Sequence, residues 1–219
     1  MAKQKVIPAI DALHRLIQGN KRFVKNRKTG LGAVDRDSRK LMLKSRGPFA
    51  IILSCSDSRA PSEILFDQGL GDLFIIRVAG NIVAPSQIGS VEFAAATMHV
   101  RLVVVMGHTQ CGAIQATFDS VTGKKNFQSE NIHDIVDRIK PHIDKLVLRK
   151  KGANKKEEIL RDAVRANVRA SADHLRHGSR FLEEMVRDKE LMIVGAEYDI
   201  ETGFVDFFDL PKMRKVSKK

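Results

Sequence analysis

The sequence of 219 residues contains no tryptophan, one tyrosine and only two cysteines, and aromatic residues make up 5% of it. Two cysteines are too few for a disulfide-stapled scaffold. No apolar run approaches the roughly 20 residues that a membrane-spanning helix needs, and the N-terminus lacks the apolar stretch of a secretory signal. We therefore expect a cytoplasmic protein with no membrane partner. Its thiols should stay reduced, as metal ligands, a catalytic thiol or core residues.

Basic residues outnumber acidic residues by 38 to 26, which gives a net charge of +12. Such an excess is typical of proteins that bind nucleic-acid phosphates. Here the basic residues are spread out, with clusters at 21–28, 149–156 and 214–219, and they lack the run of aromatic side chains on which bases stack. We interpret the clusters as solvated faces and a basic tail, and we expect no nucleic-acid partner.

Short apolar runs alternate with amphipathic stretches along the chain. The apolar runs predict strands at 48–54, 73–79, 101–107 and 191–199, and a fifth strand at 203–210 that pairs with the fourth as a hairpin. Helices are expected at 8–25, 36–44, 87–99 and 111–118, and the polar segment 119–190 should be mostly helical, with isoleucine and valine at helical spacing (Ile132, Ile135, Val136, Ile139, Ile143) and a loop at 150–156.

Strands that are apolar throughout and separated by helices indicate a parallel sheet that is covered on both faces. The predicted fold is a single α/β domain with a central, mostly parallel β-sheet flanked by helices. We place an N-terminal helical arm at 1–45, the α/β core at 46–210 and a basic tail at 211–219.

Each cysteine follows a predicted strand. Cys55 opens the segment C-S-D-S-R (55–59), and Cys111 lies in G-H-T-Q-C-G (107–112). Parallel sheets place ligand sites at the carboxyl ends of their strands, so Cys55, His108 and Cys111 converge if these two strands are neighbours. Two thiolates and an imidazole suit zinc, and three protein ligands leave a fourth position for water or substrate. The spacing alone leaves open that both cysteines are inert core residues.

The two segments together resemble the signature pair of the β-class carbonic anhydrases. Further similarity lies in L-I-Q-G-N-K-R-F (16–23), F-D-Q-G-L-G-D-L-F-I-I-R-V-A-G-N (66–81) and V-G-A-E-Y-D-I-E-T-G-F-V (194–205). The resemblance implies one zinc ion per subunit, bound by Cys55, His108 and Cys111. It implies reversible hydration of CO₂ to bicarbonate and a proton, by attack of zinc-bound hydroxide. It also implies a homodimer or homotetramer whose N-terminal arms embrace.

By the same resemblance, Asp57 and Arg59 are the aspartate–arginine pair of the family. In the open form this pair stays together and water is the fourth zinc ligand, whereas in the closed form Asp57 itself binds zinc. Closed-form members usually carry tryptophan where this chain has Ile52, so we expect the open form although Arg77 is present. Arg46 stands where the family often has a substrate-facing glutamine, which leaves the anchoring of bicarbonate open.

The remaining roles follow from chemistry and from the resemblance. Arg59 should hold Asp57 ionised as an acceptor for the attacking hydroxide, and the backbone N–H of Gly112 should meet the developing carboxylate. An apolar wall for CO₂ is expected from Phe74, Ala79 and Phe93, in part across the subunit interface. Phe74 and Phe93 could equally be ordinary core residues. No motif selects a proton-shuttling histidine.

Two other functions stay open on the sequence. The same zinc site could hydrolyse a related molecule such as COS or CS₂. Alternatively, the chain could be a basic scaffold or nucleic-acid-associated module with a structural zinc. The presence of Asp57 and Arg59 argues against the second alternative, because a structural zinc site does not need them.

Overall fold

Five strands form one sheet in this computed structural model, which describes residues 6–27, 47–124, 127–149 and 155–211. The strands are β1 (Ala50–Ser54), β2 (Leu73–Arg77), β3 (Leu102–His108), β4 (Met192–Tyr198) and β5 (Val205–Asp209). Their order in the sheet is β2–β1–β3–β4–β5. The first four run parallel, and β5 pairs antiparallel with β4 as the predicted hairpin. Strands β1 and β3 are therefore adjacent, which meets the condition for convergence of Cys55, His108 and Cys111.

Seven α-helices lie within the described ranges. They are α1 (Ala9–Val24), α2 (Ser62–Leu65), α3 (Pro85–Thr97), α4 (Gly112–Val121), α5 (Glu130–Arg149), α6 (Lys156–His177) and α7 (Arg180–Arg187), with a 3₁₀ turn at Ala79–Asn81. The predicted helix at 36–44, Arg46, the loop residues 150–154 and the tail beyond residue 211 lie outside the described residues. None of the helices within the described ranges is both long and apolar enough to span a membrane.

Helices cover both faces of the sheet, and β1 and β3 are therefore buried at every position. Successive strand residues point to opposite faces. Ile51 and Leu53 pack with residues of α3, α6 and α7, whereas Ala50 and Ile52 pack with residues of α1 and α2. The uninterrupted apolar runs of the sequence are thus explained by a sheet with two buried faces, and the predicted α/β fold is confirmed.

Helix α1, the part of the predicted arm that the structure describes, packs on the sheet of its own chain. The buried Asn20 side chain donates to the carbonyl oxygens of Leu65 and Gly203 at 3.2 and 2.9 Å, and it accepts from the backbone N–H of Val205 at 2.9 Å. These three bonds join α1 to the end of α2 and to the start of β5. The amide therefore fixes the position of the helix on the core.

The predicted elements are present, but several of their ends differ. Strand β2 stops at Arg77 rather than residue 79, because Gly80 and Asn81 have φ values of +68° and +44° and turn the chain away from the sheet. The segment 119–190 is helical as predicted, and Ile139 and Ile143 are buried. Ile132, in the first turn of α5, is 42% exposed although it shares their helical spacing.

Candidate metal centre

Three potential ligands converge where β1 and β3 end. Cys55 follows the last residue of β1, His108 is the last residue of β3, and Cys111 directly precedes α4. Because Ser54 and Met106 are register partners, the two strands finish at nearly the same level of the sheet. The ligand atoms of all three side chains lie within 4.8 Å of one another and all three residues are buried. The predicted convergence is observed.

The His108 ring presents one nitrogen to this cluster with its lone pair free. Its Nδ1 lies 2.8 Å from the carbonyl oxygen of Thr109, which can only accept, so Nδ1 carries the proton. Its Nε2 is buried and has no hydrogen-bond partner among the described residues. Leaving such a group unpaired costs about 1–3 kcal/mol. The imidazole is therefore held in the tautomer that binds a metal through Nε2.

The sulfurs of the two cysteines are close enough to interact directly. The Cys55 and Cys111 sulfurs are 4.0 Å apart. The pKa of Cys55 is lowered, mainly by the hydrogen bond from Cys111 and to a smaller extent by the backbone N–H groups of Asp57 and Gly80. The pKa of Cys111 is raised by the neighbouring Cys55 sulfur and by burial. A cation that binds both sulfurs would displace their thiol protons.

The donor set and its spacing fit Zn²⁺. Sulfur atoms bound to a tetrahedral zinc at about 2.3 Å lie about 3.8 Å apart, close to the separation of Cys55 and Cys111. Two soft sulfurs and one imidazole nitrogen match the ligand preference of zinc rather than that of magnesium or calcium. The unpaired Nε2 of His108 supplies the third donor. A fourth coordination position remains for a ligand that is not one of these three side chains.

Asp57 lies beside the cluster and is paired with Arg59. The guanidinium donates from Nε and Nη2 to the two carboxylate oxygens at 2.9 and 2.8 Å, and the Arg59 backbone N–H adds a third bond at 2.9 Å. These bonds hold the pKa of Asp57 well below its usual range. The Oδ2 atom of Asp57 is 3.8 Å from Nε2 of His108. The carboxylate is therefore ionised, next to the ligands and oriented by Arg59.

Arg77 fixes the backbone of the loop that carries Cys55 and Asp57. Its Nε donates to the carbonyl oxygen of Cys55 at 3.0 Å, and its Nη2 donates to that of Asp57 at 2.5 Å. The sequence alone does not indicate this role of Arg77. Its register pairing with Ser54, one residue before Cys55, is the signal that could have found it once the order of strands was known.

A pocket of about 610 Å³ adjoins the cluster on the side of α4. Cys111, Gly112 and Gln115 line one wall, and Leu160 and Arg161 of α6 line another. Gly112 is the first residue of α4, where backbone N–H groups have no partner within the helix. The structure therefore places Gly112 at the helix start, as expected, and beside a space large enough for a small substrate.

The carbonic anhydrase family model matches residues 50–205 of the chain. Carbonic anhydrase 2 of Mycobacterium tuberculosis is 32% identical over 194 residues, which span 89% of this chain and 90% of that protein. This chain belongs to the β-carbonic anhydrase family. Carbonic anhydrase of Mycolicibacterium smegmatis is 34% identical over 198 residues, 90% of this chain and 92% of that protein.

The fold is similar to that of a β-carbonic anhydrase of Sordaria macrospora, one of two described as tetrameric. The TM-score is 0.68 at 19% sequence identity, and the match covers 90% of this chain and 97% of the other. The predicted family and fold class are thereby confirmed from sequence and from structure.

In this β-carbonic anhydrase chain, the predicted apolar wall is not assembled around the 610 Å³ pocket. Phe74 packs against the core on the α3 side of the sheet. Ala79 begins the 3₁₀ turn, and Phe93 lies on α3 with 53% of its surface exposed. None of the three lines that pocket. Their contribution to a CO₂ site in an assembled oligomer stays a prediction.

Proposed function

We propose that this chain catalyses the reversible hydration of CO₂ to bicarbonate and a proton, with one zinc ion per subunit held by Cys55, His108 and Cys111. The observation that carries the proposal is the convergence of two buried sulfurs and an unpaired, correctly protonated imidazole at one point. Membership of the carbonic anhydrase family supports the reaction, because relatives matched over most of their length carry that name.

Zinc, when bound, acts as a Lewis acid that lowers the pKa of water toward neutrality and so makes a nucleophile available at working pH. Asp57 accepts a hydrogen bond from the attacking oxygen and orients it toward the carbon of CO₂. Arg59 keeps Asp57 ionised and fixes both of its oxygens, as their three hydrogen bonds indicate. Because Asp57 is engaged by Arg59, we propose the open form, in which Asp57 is not a zinc ligand.

The product carries a carboxylate, and the start of α4 offers a partner for it. Backbone N–H groups at a helix N-terminus favour negative charge. The N–H of Gly112 lies at this position and beside the 610 Å³ pocket, so we assign it to the developing bicarbonate. CO₂ itself is apolar, and we assign Phe74, Ala79 and Phe93 to its binding in the assembled enzyme.

We further propose a cytoplasmic homodimer or homotetramer. The tetrameric Sordaria macrospora relatives support this proposal by fold. We propose the same division of the chain as before, into an arm at 1–45, a zinc-binding core at 46–210 and a tail at 211–219.

Stopped-flow CO₂ hydration, combined with metal analysis, tests the proposal. Wild-type protein should contain one zinc per subunit and hydrate CO₂, whereas Cys55→Ser and His108→Ala should lose both the metal and the activity. Gln115→Ala, which changes the pocket wall but no proposed ligand, is the matched control and should keep its zinc. Full activity in a zinc-free variant would overturn the proposal, and turnover of COS but not CO₂ would assign another substrate.

A further inference from the structure

The 3₁₀ turn after β2 reaches back to the cluster through one backbone group. The N–H of Gly80 donates to the Cys55 sulfur at 3.4 Å. Gly80 has a φ of +68°, and a Cβ placed on it would lie 2.8 Å from Cδ1 of Ile139. Glycine is therefore required here both for its left-handed backbone and for the close approach of α5.

The same glycine is held from the opposite side by a distant side chain. The Asn167 Nδ2 atom, on α6, donates to the carbonyl oxygen of Gly80 at 2.7 Å. Asn167 is only 2% exposed, so water does not compete freely for this bond. A glycine has two soft dihedral angles, and the direction of its N–H depends on what fixes its carbonyl group. The bond from Asn167 restrains the peptide group that follows Gly80, together with the Asn81 N–H, which donates to the carbonyl oxygen of Val78 at 3.0 Å.

Hydrogen bonds to a ligating sulfur change how the sulfur binds a metal. An N–H donor draws electron density from a thiolate, which reduces donation to the metal and stabilises the charged sulfur. Groups outside the direct ligands also orient those ligands, and their removal typically costs 10–100-fold in metal affinity or activity. A residue that aims the Gly80 N–H at Cys55 would therefore act on the metal without contacting it.

We propose that Asn167 is a positioning residue of the metal centre. By holding the Gly80 carbonyl it directs the Gly80 N–H toward the Cys55 sulfur, and it thereby sets both the affinity for zinc and the electron donation from Cys55. The inference rests on the proposed zinc site and adds to it a residue 112 positions along the chain from Cys55, on a helix that contributes no proposed ligand.

Asn167→Leu tests this role, because it keeps a side chain of similar size and removes the donor. Zinc affinity is measured by competition with a chromophoric chelator, and the cobalt-substituted protein is examined by near-ultraviolet absorption. We expect zinc binding to weaken about 10-fold or more, because the Cys55 thiolate loses a donor that stabilises its charge and orients it, and this loss outweighs the gain in electron donation. We also expect the sulfur-to-cobalt charge-transfer band to move to lower energy, because the sulfur loses a hydrogen bond.

Ser171→Ala is the matched control. Ser171 is buried one turn further along α6. Asn167 and Ser171 both line a pocket of about 240 Å³ between α5 and α6. No described hydrogen bond joins Ser171 to the turn at residues 79–81. This variant should keep the wild-type zinc affinity and the wild-type band. A general loosening of α6 would instead affect both variants alike, and that result would overturn the inference.

A second variant, Asn167→Ser, carries a hydroxyl that is too short to reach the Gly80 carbonyl oxygen. It should show the same weaker zinc binding and the same shift of the band, and it keeps the test available if Asn167→Leu folds poorly. Wild-type affinity and an unmoved band in a folded Asn167 variant would overturn the inference alone. Absence of zinc from the wild-type protein would overturn the proposed function and the inference with it. The metal content of the wild type therefore separates the two failures.

Discussion

The amide of Asn20 gives a quantitative test of how α1 is attached to the core. Asn20→Ala removes three hydrogen bonds, to Leu65, Gly203 and Val205. Each such bond contributes about 1 kcal/mol net, so the free energy of unfolding should fall by about 3 kcal/mol. In a chain of this size, that loss corresponds to a decrease in Tm of about 6–12 °C.

Urea unfolding, followed by circular dichroism at one fixed protein concentration, measures this loss, because association of subunits would otherwise shift the midpoint. Gln18→Ala is the control: it removes an exposed amide from the same helix and should change the free energy of unfolding by less than about 0.5 kcal/mol. If Asn20→Ala lowers the stability by no more than Gln18→Ala does, then α1 is not held on its own chain by these bonds and the described packing is wrong.

Three further outcomes are expected. Asp57→Asn should lower kcat for CO₂ hydration about 100-fold while zinc content is retained, and an unchanged kcat would refute the role of its charge. Arg59 lowers the pKa of Asp57 in the folded state below its unfolded value of about 4. Their pairing should therefore stabilise the zinc-free protein at any pH above about 4. This stabilisation should be lost as the pH falls through the lowered pKa of Asp57. Urea midpoints of wild type and Arg59→Ala should therefore differ at pH 7 and converge in strong acid; a gap that persists there would contradict the assignment. Removal of zinc leaves Cys55 and Cys111 with sulfurs 4.0 Å apart, so mild oxidation should consume both thiols without covalent dimers, and thiols that stay reactive would speak against this proximity.

Much of the fold could be predicted because burial on both faces leaves a clear mark in the sequence. The apolar runs around Ile51 and Val103 had to be strands of a covered sheet, and their flanking turn residues placed them within about two residues. The ends were less predictable, since hydropathy does not register backbone dihedral angles. The left-handed turn at Gly80 and Asn81 ends β2 early, although Val78 and Ala79 are apolar.

The residues of the candidate site also differ in how far the sequence predicts them. The strand-end positions of Cys55, His108 and Cys111 predicted their convergence on condition that β1 and β3 are neighbours, and the resemblance to the family named them as ligands; the structure supplies the adjacency. Arg77 holds the loop that carries Cys55 and Asp57, and the proposed role of Asn167 is exerted on the turn at residues 79–81. Their side chains look like any charged or polar residue in sequence, so their roles depend on a register and on a helix position that local patterns do not encode.

The coordination sphere of the zinc-loaded protein at neutral pH, determined by crystallography, tests the central claim most directly. We predict one zinc bound by the sulfurs of Cys55 and Cys111 and by Nε2 of His108, with water as the fourth ligand and Asp57 still paired with Arg59. An Asp57 oxygen in the fourth position would contradict the open form, and a zinc-free cluster would contradict the proposed function itself.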